Sequence, residues 1–529
     1  MIKIKDLQMP IHYENKTIQD SVAKRLSIDV SRIESIRIEN RSVNTQNKED
    51  IYFNMTLLVT VSGDENQIVY GLKDKYITKD TELFYSVIKD KQLKQRPVVV
   101  GSGPAGMFAA LVLAEAGVRP ILLERGLDVD SRKEKVLQFW KTGILDTKTN
   151  VQFGEGGAGS FSDGKLKIGK KDPRKIKVLS ELIEAGSPPE IMYLSKPHIG
   201  TDRLCETVKA IRKKIQSLGG EVRFDAIVTD VLFKNGQTTG VNFTEKGNDC
   251  KIFTDNVVLA IGHSARDTFW SLYNAGVYME QKTFALGVRI EHSQTMIDKI
   301  QYGPFAANPI LGAADYRMVV HLKNGRAVYT FCMCPGGSVV ASTSEIDSLA
   351  TNGMSEFARD GRNANSALLV TVDKGDIGSD HPLGALYFQE KIEKMAFLEG
   401  GGGYKAPAQR LEDFLAGRNT KVFGDVLPSY MPGTSFAQVD SYLPGYVVDS
   451  LRQGILEMGL WMPGFAYPDA ILTGAETRSS APLRIRRNGS FEAIGIKGLY
   501  PCGEGAGYSG GIISAAVDGV VCAEMILGK

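Results

Sequence analysis

The sequence predicts an α/β protein in which a domain built on a parallel sheet is interrupted by a second domain and preceded by a small one. Residues 96–126, "RPVVVGSGPAGMFAALVLAEAGVRPILLERG", have the pattern of a strand, a glycine-rich turn, a helix and a second strand. The C-terminal "KGLYPCGEGAGYSGGIISAAVDGVVCAEMILGK" has a strand, a glycine turn and a long apolar helix. We therefore expect a small domain at 1–92, a discontinuous domain at 97–275 and 475–529, and an inserted mixed β/α domain at 276–474.

Length and composition limit the function classes. A chain of 529 residues is too long for one compact core, so two or three domains are expected. The net charge of +2 gives no reason to expect a nucleic acid as partner. The N-terminus "MIKIKDLQMP" lacks the apolar segment of a signal peptide, and no uninterrupted apolar run predicts a membrane span. Six cysteines do not predict a disulfide scaffold, so we expect a cytoplasmic protein with reduced thiols.

The N-terminal segment has the pattern of a β-α-β-β unit. Residues 3–7 alternate as a short strand, and "TIQDSVAKRLSI" has apolar residues at helical spacing. "RIESIRIENRSV" and "DIYFNMTLLVTV" are typical of strands because they are rich in β-branched residues. The unit is predicted to end around Gly71. The charged "DTELFYSVIKDKQLKQR" is predicted to be a helix-like connector to Pro97.

The turn after the first strand of the large domain has the residues that a dinucleotide needs. Gly101 permits a tight turn, Gly103 lets a pyrophosphate approach the backbone, and Gly106 lets the helix pack close to the strand. The helix predicted over Pro104 to Ala116 would direct free N–H groups at the phosphates. Glu124 ends the next strand, where a carboxylate accepts hydrogen bonds from the ribose hydroxyls and disfavours NADP. Both FAD and NAD remain open, and so does a turn without a ligand. The other predicted loop contacts are Ser102, Pro104, Ala105 and Arg125.

Three later segments distinguish FAD from NAD. A strand in "TDNVVLAIGHSA" ends in Ala260-Ile261-Gly262, and "AIVTDV" contains Val228. In "LYPCGEGAGYSGGIISAAVDG", Gly503 and Glu504 follow a strand and precede a helix. The first segment resembles the A-T-G strand of the glutathione-reductase-like FAD fold. The second resembles the strand of that fold that meets the adenine, and the third resembles its C-terminal flavin motif.

The resemblance implies cofactor contacts at these positions. The backbone of Val228 would meet the adenine, Ala260 and Gly262 would line the site, and Glu504 would bind the ribityl or pyrophosphate region. A solvated turn carboxylate is the alternative for Glu504. The resemblance also directs the last helix at the flavin N1 edge, where its dipole and backbone N–H groups would stabilise a reduced flavin. The residues at that helix start are Gly510, Gly511 and Ile512.

Nearly the whole chain is similar to a bacterial family of FAD-dependent dehydrogenases or oxidoreductases of undefined substrate. Besides the glycine loops, "GHSARDT", "TFCMCPGG", "RDGRNANSALLVTV", "GGGGYKAPAQR" and "ETRSSAPLRI" carry this similarity. The chain also resembles fumarate-reductase-like and geranylgeranyl-reductase-like flavoproteins, which lack an inserted NAD(P)H domain. Consistent with this, the middle of the chain, about 276–474, contains no second strand–turn–helix with G-x-G-x-x-G.

A glycine-rich stretch, "GEGGAGSFSDGKL", is predicted to pass the flavin ring. Its glycines permit backbone to approach a flat ring, and its hydroxyls can donate to flavin N5 or O4. A surface loop is the alternative. The following "KLKIGKKDPRKIK" is strongly basic, which is typical of a solvated loop but also suits an anion gate or direct docking of NAD(P)H. The predicted contacts of the glycine stretch are Gly156, Gly157, Ala158 and Ser160.

His263, Arg266 and Arg478 are the candidate catalytic residues. His263 and Arg266 follow the strand that ends at Gly262, and Arg478 lies in "ETRSSAPLRIRR". Histidine exchanges a proton near neutral pH, and arginine can clamp a carboxylate. The alternatives are a capped helix start for the first two residues and a structural ion pair for either arginine.

Cys332 and Cys334 in "TFCMCPGG" are predicted to be packing residues. In a regular strand their Cα atoms would be about 7 Å apart, too far for an unstrained disulfide. Two isolated cysteines also cannot form a four-ligand zinc site, and we expect no metal. The disulfide reductases of this fold carry a C-x-x-x-x-C pair on the first flavin loop. This chain has no cysteine there, which disfavours that activity.

Together the patterns predict an FAD-dependent oxidoreductase that moves a hydride between flavin N5 and an unidentified small substrate. If the basic stretch is an anion gate, the substrate is an anion. NAD(P)H could act as direct electron donor without a dedicated domain. Two alternatives remain open: a flavoprotein acting on RNA or a lipid through its N-terminal domain, and a non-catalytic FAD-binding redox or interaction protein. Near-neutral charge in the N-terminal domain disfavours RNA.

Overall fold

The structure of the protein is a computed structural model that describes residues 1–166 and 172–528. Its N-terminal part is an antiparallel sheet of order β2-β3-β1-β4 covered by two helices, the split β-α-β arrangement. The predicted strands and helix are present, and a second helix and a fourth strand extend the unit beyond Gly71. The elements are β1 (Ile2–Pro10), α1 (Asn15–Leu26), β2 (Ile33–Asn44), β3 (Tyr52–Val61), α2 (Glu65–Leu72) and β4 (Ile77–Lys79).

The connector that follows is not a helix, so that prediction is wrong. Residues 80–96 are irregular. Tyr85, Ile88 and Leu93 pack against the apolar core of the next domain, and the Lys91 N–H donates to the Ala116 carbonyl at 3.1 Å. Burial of these side chains along a groove outweighs the weak helical propensity of the segment.

A parallel five-stranded sheet of order β22-β11-β5-β6-β7 organises the centre of the chain. In this order the strand at 499–501 lies beside the strand at 257–259, although the whole inserted region separates them in sequence. The helix at 104–115 and the helix at 512–527 pack against each other on one face of the sheet. They are so close that a Cβ on Gly519 would lie 2.0 Å from the Ala105 carbonyl oxygen. The elements are β5 (Val98–Val100), α3 (Pro104–Glu115), β6 (Ile121–Leu123), β7 (Glu221–Arg223), β11 (Val257–Leu259), β22 (Leu499–Pro501) and α13 (Ile512–Leu527).

Helices and a small antiparallel sheet of order β10-β9-β8 surround this centre. The sequence analysis missed β10, a short and largely exposed edge strand with little apolar pattern. A two-stranded pair, β12 with β21, joins the segments on either side of the inserted region. The elements are α4 (Val129–Thr142), α5 (Pro173–Glu184), α6 (Thr201–Ser217), β8 (Ala226–Lys234), β9 (Gln237–Glu245), β10 (Asn248–Phe253), α7 (Arg266–Asn274), β12 (Met279–Gln281) and β21 (Leu483–Ile485).

A large mixed sheet of order β14-β15-β17-β13-β20-β18-β19 lies between β12 and β21 in sequence, with β16 paired to β15. Its central strands β13 and β17 are almost wholly buried. No helix among the described residues has both the length and the apolar character to cross a membrane. The elements are β13 (Phe284–Ser293), α8 (Gln294–Tyr302), β14 (Val319–His321), β15 (Ala327–Ala341), β16 (Thr351–Met354), β17 (Asn363–Val372), α9 (Lys374–Ile377), α10 (Gly384–Glu399), β18 (Ala406–Arg410), α11 (Leu411–Leu415), β19 (Thr434–Phe436), α12 (Gly445–Trp461) and β20 (Ile471–Glu476).

Candidate functional site

The predicted cofactor segments meet at the carboxyl edge of the parallel sheet. Gly101 follows β5, Glu124 follows β6, Ala260 follows β11 and Cys502 precedes Gly503 after β22. In open parallel sheets, ligands bind outside the carboxyl ends of the strands. The fold therefore brings to one edge segments that are up to 400 residues apart in sequence.

The turn after β5 has no room for side chains. Gly101 has a φ of +96°, and a Cβ there would lie 2.4 Å from the Ala260 carbonyl oxygen. A Cβ on Gly106 would lie 1.8 Å from the Gly101 carbonyl oxygen. Only glycine permits this packing, which fixes the backbone at the start of α3. The first N–H groups of α3 have no partner within the helix and point out of this turn.

Glu124 holds the glycine loops together. One carboxylate oxygen accepts from the N–H and the hydroxyl of Ser102, at 2.8 and 2.7 Å. The other accepts from the N–H groups of Gly126 and Gly154, both at 2.9 Å. A carboxylate has about four lone-pair positions, and the chain itself uses four. The contact of Glu124 with the ribose stays a prediction. It requires that at least one of these four hydrogen bonds be replaced by one from a ribose hydroxyl.

Replacing Glu124 with glutamine distinguishes its role in holding the glycine loops together from its predicted role in binding the ribose. The amide nitrogen would face backbone N–H groups, so we expect the apoprotein to lose about 1–3 kcal/mol of unfolding free energy and to bind FAD more weakly. A carboxylate that bound only ribose would weaken FAD binding and leave the apoprotein unchanged. Denaturant unfolding of the apoprotein and FAD titration measure the two effects. The exposed Glu134 supplies the control variant Glu134→Gln, for which neither quantity should change.

The second glycine loop is anchored from beneath by Arg132, which the sequence analysis did not identify. This fully buried guanidinium donates to the carbonyls of Asn150, Val151, Gly154 and Glu155 at 2.7–3.2 Å. The pKa of Arg132 is lowered to about 10 by burial, so the side chain stays charged at neutral pH. These bonds determine the shape of the loop.

The anchored loop reaches the first glycine turn. A Cβ on Gly157 would lie 2.9 Å from the Gly103 Cα, and one on Gly156 would lie 2.1 Å from the Ser160 hydroxyl oxygen. Ala158 and Ser160 lie in a single 3-10 turn, Ala158–Phe161. The structure therefore brings together the glycine loops that were predicted to serve the two halves of the cofactor.

Glu155 is a second residue of this loop that the sequence analysis missed. Its carboxylate accepts from the Val129 N–H at 2.8 Å and lies 2.9 Å from the Nε atom of Arg212. Burial raises the pKa of Glu155 despite these partners. The acidic group joins the loop to α4 and α6.

The C-terminal glycine turn is fixed by Asp518, which accepts from the Gly503 N–H at 2.7 Å and pairs with Arg487. Beyond it, Gly510 and Gly511 are exposed. Among the described residues, a Cβ on Gly510 would meet no atom within 4 Å, and one on Gly511 would meet only the Ser514 hydroxyl oxygen, at 3.8 Å. The predicted helix start at Ile512 is present. Its first N–H groups, unpaired within the helix, therefore face an open space.

His263 and Glu504 lie side by side, where the segment that follows β11 meets the segment that follows β22. The His263 Nδ1 is 3.8 Å from a carboxylate oxygen of Glu504, which is partly exposed. The imidazole is buried, and its Nε2 has no hydrogen-bond partner among residues 1–166 and 172–528. Both predicted residues thus lie at the candidate site with hydrogen-bonding capacity to spare.

Arg266 and Arg478 both bind Glu393, a fully buried carboxylate on α10. Each guanidinium makes two hydrogen bonds to it, at 2.8–3.0 Å, and Thr477 and Ser348 also donate to it. Arg266 further pairs with Glu345. This geometry favours the structural ion pair that was the alternative for both arginines, and their role as substrate clamps stays a prediction that the geometry does not support.

Two other predicted groups have partners in the chain. Arg125 donates to Asp267 at 2.9 Å and its guanidinium lies over the Phe153 ring, while Val228 is a core residue of β8. Residues 167–171 of the basic stretch lie outside the described residues. Of the rest, Lys165 bonds the Met333 carbonyl, Arg174 pairs with Glu524 and Lys177 with Glu115 and Glu181.

The residues at the sheet edge fit a flavin dinucleotide. The buried Nε2 of His263 has no partner among the described residues, and the helix start at Gly510 and Gly511 is exposed. The turn at Gly101 brings backbone to the sheet edge at a position where a Cβ would not fit. A phosphate suits the helix starts, and a flat heterocycle with polar edges suits glycine backbone beside a histidine.

Comparisons with known proteins point the same way. The chain matches the family model "FAD-dependent protein, C-terminal domain-like" over residues 283–479 and the model "FAD binding domain" over residues 95–139. A protein of Clostridium beijerinckii, described only as uncharacterized, is 47% identical over 531 residues. That match covers 100% of this chain and 99% of the relative.

Solved structures resemble the chain only remotely. L-proline dehydrogenase from P. horikoshii is 13% identical, with 82% of this chain and 93% of that chain covered and a TM-score of 0.36. A variant of E. coli quinol fumarate reductase FrdA is 12% identical, with coverage of 82% and 70% and a TM-score of 0.38. CtdE in complex with FAD is 12% identical, with coverage of 82% and 84% and a TM-score of 0.33. At these TM-scores the likeness carries no residue roles into this chain.

Proposed function

Because the chain belongs to a family of FAD-dependent proteins of oxidoreductase type, with FAD as its cofactor, we propose that it transfers a hydride between flavin N5 and an unidentified small substrate. We further propose that 97–275 and 475–529 form one discontinuous FAD-binding domain of glutathione-reductase-like architecture, with 276–474 as the cap over the substrate. The neighbouring positions of β5, β11 and β22 in one sheet support this division.

One observation supports turnover over mere storage of FAD: the buried, unpartnered Nε2 of His263 at the cofactor edge. Hydride transfer that leaves charge on a substrate oxygen or carbon requires a group that gives or takes a proton. An imidazole does this near neutral pH, and Glu504 at 3.8 Å can orient the ring through Nδ1. In this proposal FAD supplies the two-electron step, and His263 holds the proton at Nε2.

The electron donor and the charge of the substrate are part of the proposal. NAD(P)H would donate directly to the flavin, since 276–474 contains no strand–turn–helix with G-x-G-x-x-G that would mark a dedicated NAD(P)H domain. The basic composition of 165–177 is the reason to propose an anionic substrate, although Lys165, Arg174 and Lys177 have partners within the chain. Raised salt would then increase KM for the substrate while kcat stays constant.

Purified protein tests the proposal directly. We expect a yellow protein that releases FAD on denaturation, and bleaching of the flavin in stopped-flow mixing with NADH or NADPH. A panel of acids, quinones and polyenes, added to the reduced protein, would identify the class of acceptor. FAD that binds but is not bleached by any donor and not reoxidised by any acceptor would favour the non-catalytic alternative, and failure to bind FAD would contradict the cofactor assignment.

His263→Gln tests the proton-transfer role. We expect kcat to fall about 10²–10⁴-fold with FAD content unchanged, because glutamine can hydrogen bond but cannot exchange a proton near neutral pH. Steady-state kinetics of the FAD-loaded protein measure kcat. The exposed His321 supplies the control variant His321→Gln. A His263→Gln protein with the kcat of the wild type would exclude the role.

A further inference from the structure

The C-x-C pair does not lie on a regular strand, in contrast to the sequence-based prediction. Along the β15–β17 ladder, Phe331 pairs with Ala367 and Cys334 pairs with Asn365, so three residue steps on β15 face two on β17. This bulge places Cys332 at a φ of +43°. A β-bulge re-aims the side chains next to it. The spacing of about 7 Å for Cα atoms of alternate strand residues, which disfavoured a disulfide, therefore does not apply.

The bulge brings the two cysteines close to each other. The Cys334 thiol donates to the Cys332 carbonyl at 3.3 Å, and the two side chains shift each other's pKa. Cys332 is partly exposed, whereas Cys334 is fully buried. Cys332 is therefore the more accessible residue of the pair, and Cys334 lies in the interior.

The surroundings of the pair are electropositive. The buried guanidinium of Arg289 donates to the Cys332 carbonyl at 3.0 Å, and Lys165 donates to the neighbouring Met333 carbonyl. The hydrogen bond from Cys334, together with Arg289 and Lys165, lowers the pKa of Cys332 to about 6, against the opposing effects of burial and Asp163. The pKa of Cys334 is raised by its bond to Cys332 and by burial. This asymmetry is typical of a nucleophilic thiol with a resolving partner.

A second pair of neighbouring thiols offers an internal comparison. Cys502 and Cys522 are both fully buried, and burial together with its neighbour Cys522 raises the pKa of Cys502. Proximity alone therefore does not distinguish the two pairs. Access from solvent and a positive environment do, and only Cys332 with Cys334 combines them among the described residues.

We propose that Cys332 and Cys334 form a redox-active dithiol–disulfide site that exchanges with small disulfides, an activity separate from the flavin reaction. The Cys332 thiolate attacks one sulfur of R–S–S–R, forms a mixed disulfide and releases RS⁻. Cys334, losing its proton, attacks the Cys332 sulfur, which closes the Cys332–Cys334 disulfide and releases a second RS⁻. The two cysteine thiols lose two electrons and two protons, and the small disulfide becomes two thiols.

Mass spectrometry of the FAD-loaded protein after incubation with glutathione disulfide tests this site. We expect the peptide that contains both residues to lose two alkylation sites and two hydrogens, while Cys502 and Cys522 stay reduced. Cys334→Ser should accumulate a glutathione adduct at Cys332, because the resolving thiol is missing. Cys332→Ser should form no adduct at Cys334. Wild-type protein whose 332–334 peptide remains fully alkylated would overturn the proposal, whatever the folding of the variants.

The pH dependence of alkylation is a second and independent measurement. Iodoacetamide should modify Cys332 with a half-maximal rate at a pH clearly below the ordinary thiol value, since the thiolate is the reactive form and the pKa of Cys332 is lowered. The charged groups that face Cys332 are Arg289 from β13 and Lys165 and Asp163 from the glycine loop. A half-maximal rate at the ordinary thiol value of about 8.5 would overturn the nucleophile assignment. The flavin absorbance, followed in parallel, shows whether FAD binding has failed independently.

Discussion

Replacing Glu393 with alanine is expected to lower the free energy of unfolding by about 3–5 kcal/mol, because it leaves two buried guanidinium groups with only partly exposed carboxylate partners, such as Glu345. Arg266 and Arg478 are both buried, and each makes two hydrogen bonds to this one carboxylate. Neither arginine can lose its proton under ordinary conditions. The effect should therefore exceed that of an ordinary core truncation, and denaturant unfolding of the FAD-loaded protein measures it.

Acid titration gives the same cluster a second test. Burial raises the pKa of Glu393, but Arg266 and Arg478 more than offset it, so the folded value lies far below the ordinary 4.5. A lowered folded pKa contributes stability that is fully present above pH 4.5 and is lost as pH falls below it. Glu393→Gln, which cannot ionise, should be less stable at pH 7 and lose part of this acid dependence.

The control for both measurements is Glu399→Ala, on an exposed position of the same helix, where we expect a change within about 0.5 kcal/mol. A Glu393→Ala protein as stable as this control would mean that water enters the cluster and solvates the arginines. The ion-pair assignment of Arg266 and Arg478 would then be wrong, and their availability to a substrate would be open again.

Arg132→Met is expected to abolish stable FAD binding and to cost about 3 kcal/mol or more of unfolding free energy. Methionine preserves the apolar stem but leaves the carbonyls of residues 150, 151, 154 and 155 without their donor. The loop would then lose the shape that brings Gly157 against Gly103. FAD content after gel filtration and denaturant unfolding measure the two losses.

Arg132→Lys separates charge from shape. A lysine keeps the positive charge, but its single nitrogen cannot reach carbonyls spread over the fork of a guanidinium. We expect FAD binding to weaken as in the methionine variant, with a smaller loss of stability. Lys133→Met, at the adjacent exposed position of α4, is the control and should bind FAD normally. Normal FAD binding by Arg132→Met would show that the loop does not depend on this anchor.

The sequence predicted those parts of the fold whose signals are local. The strand, turn and helix around Gly101 follow from adjacent residues, as does the last helix after Gly511. The connector at 80–96 could not be predicted in this way, because its conformation is set by the groove into which Tyr85 and Leu93 pack. The bulge at Cys332 likewise depends on the register with β17, which no local pattern specifies.

The missed charged residues did leave a signal. In α4 the buried positions are Val129, Arg132, Val136, Phe139 and Trp140, so Arg132 occupies the apolar stripe of its helix. Glu393 has the same placement in α10, between Ile392 and Ala396. A charge on the buried face of a helix predicts a partner in the interior, although the sequence does not reveal which one.

The position of β22 beside β11 bears on the order in which the parts of the protein fold. The strand at 499–501 pairs with the strand at 257–259, and the whole inserted region lies between them in sequence. Pairing over such a separation is slow, because the entropy of closing the loop is lost before the contact is gained. We therefore expect the parallel sheet to be completed late in folding, after the inserted region has become compact enough to bring the two strands together.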